Sequence, residues 1–268
     1  MTHPADPRTS PRVVDLRIPR GAVLKLLARD PRFFRDLLHA YYPGSMERME
    51  IRAIRSEPSS LVGLDLEENE ADALWEVETE SGHLYYWAVM CRSDLETTNP
   101  WDVMCAVTLL MWQLCEHPPV EWGYRADRVP LVRGIYLYDG EQEWDYPLCT
   151  LDTFEGGDDP ESAKYLPYFR YKVADLRNAE APELRGNLAA LLHKLHLCDT
   201  PDDLHETAQP LLEMLDPVKN NLLWRAFAAC LSQSLLPPMG VKDTSGSDSL
   251  GQALNRLETE RRDRAQGS

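Results

Sequence analysis

No apolar run in the sequence reaches the roughly 18 to 20 residues that a helix needs to span a bilayer. Basic charge is scarce: 28 Lys and Arg stand against 44 Asp and Glu, a formal net charge of −16. A protein that grips DNA tightly through its backbone usually has a basic surface, because each neutralised phosphate releases counterions. The global field here repels nucleic acid, which counts against strong non-specific DNA binding. A Gly-rich phosphate cradle and a Gly-x-Ser-x-Gly nucleophile elbow are also missing. None of the six cysteines, Cys91, Cys105, Cys115, Cys149, Cys198 and Cys230, has the two-residue spacing of a zinc knuckle or a thioredoxin-type redox pair. Most lie in apolar segments, where a reduced Cys packs as a small hydrophobe. The first twenty residues carry Pro4, Pro7, Pro11 and Pro19 among charges and no continuous apolar stretch. Residues 1–19 read as a disordered leader and not a secretory signal, and the expected location is the cytoplasm.

What is present is an ordinary globular composition, 43% hydrophobic and 27% charged over 268 residues. That is enough for one large domain, or one domain with a helical appendage. A short helix is expected around Val23–Leu27. Asp30 then caps a second helix that opens on Pro31, carries Phe33, Phe34, Leu37, Leu38 and Tyr41 as its apolar stripe, and ends at Pro43-Gly44. Near residue 47 the period becomes extended, with edge segments at 50–55 and 60–66. The stretch 72–80 alternates, Trp75, Val77 and Thr79 against Glu76, Glu78 and Glu80. It turns at Ser81-Gly82 into a run, 84–90, apolar on both faces. Together they predict a hairpin of one half-exposed and one central strand.

A helix from Trp101 to Cys115, apolar almost all round, is expected to be buried in a core or an interface. Strands follow at 131–138 and 169–173, then amphipathic helices over 182–197, 202–215 and 217–235. The expected fold is α/β, a mixed sheet flanked by helices. Its boundaries are a core over 20–180, a helical C-terminal extension over 181–236, and a linker and charged tail over 237–268.

Several segments resemble, in order and spacing, the recombination-promoting nucleases, also called YhgA-like putative transposases. They are Leu24-Lys25-Leu26-Leu27 with Asp30-Pro31, Phe34 and Asp36-Leu37-Leu38; Ala71-Asp72-Ala73-Leu74-Trp75; the run 84–93; Ile135-Tyr136-Leu137-Tyr138-Asp139-Gly140 with Trp144; and Tyr165-Leu166-Pro167, Phe169-Arg170-Tyr171 and Asp175-Leu176. They cover roughly residues 20–235. The resemblance implies a restriction-endonuclease-like core of the PD-(D/E)xK superfamily and Mg²⁺-dependent DNA cleavage linked to recombination, mobile elements or phage defence.

A hard divalent ion wants carboxylate oxygens, and the family pattern supplies an Asp opening one hairpin strand and a Glu on its neighbour. A Lys or Gln two residues later handles the attacking water, and the metal stabilises charge on the scissile phosphate. Matched residue by residue, the Asp falls on Asp72, but the Glu falls on Met90, a soft, neutral ligand ill-suited to Mg²⁺. The Lys or Gln falls on Arg92, which stays protonated and cannot act as a base. The family's acid in the first helix falls near Arg20-Gly21 and is absent. The bland reading of Asp72 is an Asp–Arg92 bridge where a metal once sat. The functional one needs a migrated carboxylate, Asp94 or Glu96 just past the strand, or Glu70 or Glu76 beside Asp72.

Other clusters count for less. His193, His196 and Cys198 have zinc-compatible chemistry, but the leucines around them favour two ordinary histidines on a helix flank. The acidic turn after Asp139 and the loop 155–161 read as structural and solvated, and the tryptophans and tyrosines from Trp75 to Trp112 as core. Three readings stay open: a degenerate nuclease fold retained as a binding or regulatory component, with no cofactor; an active endonuclease using Mg²⁺; and a subunit that joins a protein partner or its own copies through the apolar helix. DNA is a partner by resemblance only, and no membrane is expected.

Overall fold

The computed structural model describes residues 20–46, 49–57, 71–96, 101–116, 131–216 and 218–239. The expected leader, the segment 60–66, Glu70 and the tail from residue 240 lie outside the described residues. Helices α1 (Arg20–Ala28) and α2 (Pro31–Tyr41) come first. Asp30 caps α2 by accepting from the N–H groups of Arg32 and Phe33, with Pro31 at the first position. Beyond Pro43-Gly44 the chain makes one more helical turn, α3 (Pro43–Met46).

Five strands then form one sheet in sequence order: β1 (Ile51–Glu57), β2 (Ala73–Thr79), β3 (Leu84–Arg92), β4 (Leu131–Tyr138) and β5 (Lys172–Asp175). Strands β1, β2 and β3 pair antiparallel with one another, and β3, β4 and β5 pair parallel. A parallel pair needs a crossover, which α4 (Asp102–Glu116) provides between β3 and β4. The fold is therefore α/β with a mixed sheet, compatible with a restriction-endonuclease-like core.

Because side chains alternate across a strand, residue parity sorts the two faces. Odd positions, among them Trp75, Val77, Trp87, Val89, Ile135 and Leu137, pack under α1 and α2. Phe34 of α2 stacks on Trp75 at 4.9 Å, and the Trp75 indole donates to the Ala28 carbonyl at 2.9 Å. Even positions, among them Leu74, Tyr86, Ala88, Met90 and Tyr136, pack under α4. Gly134 on β4 lets that helix approach: a Cβ there would lie 2.2 Å from a Val103 methyl.

The strand β2 departs from expectation. It is not half-exposed, because β1 covers its other edge and even Glu76 is buried. Register places Arg55, Glu76 and Tyr86 in one row across three strands. Arg55 Nη1 and the Tyr86 hydroxyl each reach a Glu76 oxygen at 2.7 Å, so the carboxylate enters the core already paired. The helix α4 also differs from the all-round burial expected of it. Val103, Ala106, Val107, Leu110 and Leu114 are buried, whereas Trp112 is 48% exposed and is not a core residue.

The first and last of the C-terminal helices begin later than their periodicity suggested. The first, α5 (Leu188–His196), starts where Asn187 caps it, not at Pro182. Pro210 splits the next segment into α6 (Pro201–Ala208) and α7 (Pro210–Met214). Then α8 (Asn221–Ala229) passes into a π-helical stretch, Cys230–Leu235. Leucines and alanines of α5 and α8 share one cluster with α1, α2 and the odd face of the sheet. The helical C-terminal part expected from the sequence is thus present and shares the main core.

Candidate functional site

The ends of β3 and β4 and the start of β2 meet at one edge of the sheet, and the acids there decide what the site can do. Asp72 sits one residue before β2. Its N–H donates to the Val89 carbonyl at 2.9 Å, and its side chain is 7% exposed. Both carboxylate oxygens are engaged. Oδ2 accepts the Cys91 N–H at 2.7 Å and Arg92 Nη1 at 3.1 Å, while Oδ1 meets Lys25 Nζ at 2.7 Å. Arg29, one helical turn after Lys25, donates through Nε to the Asp72 carbonyl at 3.0 Å. Helix α1 and the turn that ends it thus grip both the side chain and the main chain of Asp72. Arg92 reaches onward to Asp102 at the start of α4, 3.7 Å away.

Met90 is fully buried among Leu74, Tyr86, Ala88, Val103 and Tyr136. A cavity of about 320 Å³ opens beside Asp72, bounded by Arg29, Ser56, Glu57 and Trp75. Glu57 is the carboxylate that shares it; burial, and then the charge of Glu76, push its pKa up. The sequence reading missed both Lys25 and Glu57. Lys25 lay inside a quoted helical motif, yet nothing in its period showed which acid it would face.

The other expected carboxylates stand elsewhere. Asp94 accepts the Glu96 N–H at 2.8 Å in a turn, and Glu96 is exposed. Asp94 lines a second cavity of about 230 Å³, with Ser93, Asp139, Glu141 and Arg177. Asp139 is 7% exposed there, and its N–H donates to the Arg92 carbonyl at 3.1 Å. Burial raises the Asp139 carboxyl, but His196, Ser93 and Arg177 outweigh it and hold the group below its ordinary value. Even so, Asp139 Oδ1, Ser93 Oγ and His196 Nε2 are buried atoms with no hydrogen-bond partner among the described residues, and Asp139 and His196 stand 3.9 Å apart.

The histidines of α5 are core residues, not an open flank. His193 accepts from the Tyr41 hydroxyl and donates to the Ala179 carbonyl, and His196 Nδ1 meets the Leu192 carbonyl. Cys198 Sγ donates to the Lys194 carbonyl. Among the described residues no three His, Cys, Asp or Glu are grouped to hold a metal, and all six cysteines are free. No described helix is long and apolar enough to cross a membrane.

Comparison with known proteins places the chain in a family. The family described as putative transposase, YhgA-like, matches residues 19–222. The chain belongs to this family. Among curated relatives, the recombination-promoting nuclease RpnA of Escherichia coli (strain K12) is 28% identical over 161 residues, 59% of this chain and 52% of its own. The inactive recombination-promoting nuclease-like protein RpnE of the same strain is 31% identical over 161 residues, again 59% of this chain and 50% of its own. RpnD of E. coli O157:H7, also named a recombination-promoting nuclease, is 25% identical over 59% of this chain and 58% of its own. The chain spans about half the length of these relatives, and no solved structure matches it. Nuclease and inactive names thus occur side by side among relatives of this YhgA-like chain.

Proposed function

We propose that this YhgA-like protein is a catalytically degenerate nuclease-fold protein, acting as a binding or regulatory component at DNA in recombination, mobile-element or defence processes. One observation carries the reading: Asp72 already spends both oxygens on Lys25, Arg92 and the Cys91 N–H. Where the family pattern puts the second carboxylate, Met90 is sealed in an apolar core. Mg²⁺ needs several free oxygens at roughly 2.0–2.1 Å. A single carboxylate neutralised by two cations does not fit it, so no metal-assisted step is derived for this site. Arg92 acts here as a counter-ion and not as a base. Free thiols throughout suit a reducing cytoplasm.

Plasmid cleavage with Mg²⁺ or Mn²⁺ tests the proposal. Wild type and Asp72→Ala are expected to leave supercoiled DNA equally intact. Metal-dependent nicking by the wild type that Asp72→Ala abolishes sinks the degenerate reading. It would favour the alternative, an endonuclease with a rearranged site, in which Glu57 across the shared cavity is the carboxylate to examine.

A further inference from the structure

The resemblance to Mg²⁺-dependent nucleases implies a metal ion beside Asp72, and the chain supplies a cation of its own there. We infer that the ε-ammonium of Lys25 is the resident cation of the site: a tethered, monovalent replacement for a divalent metal that makes the Asp72 pocket refractory to metal. The inference rests on the degenerate reading above but assigns the replacement to one residue.

Four features support the assignment. The ammonium lies 2.7 Å from Asp72 Oδ1, the oxygen that neither Arg92 nor the Cys91 N–H uses. It reaches this oxygen from α1, whereas Arg92 projects from β3 toward Asp102 at the start of α4. The two cations therefore divide the carboxylate between them: each oxygen already faces a positive charge, which disfavours a further cation beside it. Arg29 follows Lys25 at the i+4 position, a placement that is repulsive for like charges on a bare helix. Here it is tolerated because both side chains turn onto Asp72, one to its carboxylate and one to its carbonyl. Lastly, the Lys25 side chain stays 45% exposed while Asp72 is 7% exposed. The ammonium meets the buried acid while the lysine side chain keeps its contact with solvent.

A merely structural lysine and a resident cation differ in one measurable way: removing the second should open the pocket to metal. Binding of Mn²⁺, followed by loss of the free-ion electron paramagnetic resonance signal, would be compared in the full-length wild type, Asp72→Asn, Met90→Glu, and Met90→Glu with Lys25→Met. Wild type and Asp72→Asn should bind alike, since the remaining acidic surface is common to both. Met90→Glu alone should change little, because Lys25 still holds the site. Adding Lys25→Met should tighten binding about tenfold or more, and further addition of Asp72→Asn should abolish that gain.

A wild-type Mn²⁺ site lost in Asp72→Asn overturns the inference, as does a Met90→Glu background in which Lys25→Met brings no gain. Lys25→Gln, which keeps most of the stem, substitutes if the methionine variant melts early, with the same expected gain. Failure here is distinct from failure of the functional reading. Nicking activity unaffected by Asp72→Asn would refute degeneracy while leaving the role of Lys25 intact.

Discussion

Asp72 and Asp139 are both 7% exposed and sit at the same edge of the sheet, on either side of the Arg92 backbone, yet their surroundings are opposite. Asp72 makes three contacts through its carboxylate, two of them to cations. Asp139 has one oxygen with no partner among the described residues and a histidine at 3.9 Å that forms no hydrogen bond to it. Burial alone therefore says little about an acid's role. A carboxylate with both oxygens engaged by cations and a backbone N–H, as at Asp72, acts as part of the scaffold. The under-satisfied acid is Asp139, whose motif was read as a structural turn.

The comparison breaks first at Asp72. Asp72→Ala should lower the free energy of unfolding by about 2–3 kcal/mol, toward the lower end for a broken buried pair, because Lys25 is half-exposed and can return to water while Arg92 keeps Asp102. Much of the cost falls on the Cys91 N–H, which loses its acceptor at β3. Urea unfolding monitored by tryptophan fluorescence would measure it. A change below about 0.5 kcal/mol would mean that the cations around Asp72 do not hold the sheet edge.

How much of this was legible in the sequence follows from what each signal encodes. The Asp30-Pro31 cap and the Phe33–Leu38 stripe are local, and they folded as read. The hairpin register and the Asp72–Arg92 neighbourhood followed from strand parity, which needs only two adjacent strands. What failed needed a third element. The alternation of β2 cannot show that β1 covers its edge, so Glu76 read as exposed when it is buried against Arg55 and Tyr86. Lys25 lies 47 positions from Asp72, and the helical period that places it on α1 carries no information about what it will touch. The start of α5 at Leu188 was missed because Pro182 looked like a first-turn proline, whereas Asn187 does the capping.

A third buried polar group sharpens the contrast through pH. Burial holds His193 below its ordinary value of 6.5. The unfolded chain takes up a proton near the ordinary value while the buried ring resists it. Stability present above about pH 6.5 is therefore lost as pH falls toward the folded value. Between pH 7.5 and 5.5 the wild type should lose more stability than His193→Gln, measured by urea unfolding at both values. Tyr41→Phe, which removes the hydroxyl donating to Nδ1, should cost about 1 kcal/mol at pH 7.5. If His193→Gln tracks the wild type over that interval, the ring is not the buried neutral group described.

The smallest effect belongs to Asp139, and it returns to the opening pair. His196 Nδ1 faces the Leu192 carbonyl, and Nε2 is turned toward the Asp139 carboxylate 3.9 Å away. Asp139→Asn replaces one carboxylate oxygen with a donor of nearly the same shape, able to meet Nε2, and removes a buried charge. Because the Asp139 carboxyl is held below its ordinary value, the expected change in unfolding free energy is a small loss, about 1 kcal/mol or less, against the larger loss at Asp72. A loss at Asp139→Asn as large as that at Asp72→Ala would show that the charge is needed there, held by a protonated His196. The two acids would then be alike in being paired, and the distinction between a spent and an unspent carboxylate would fail.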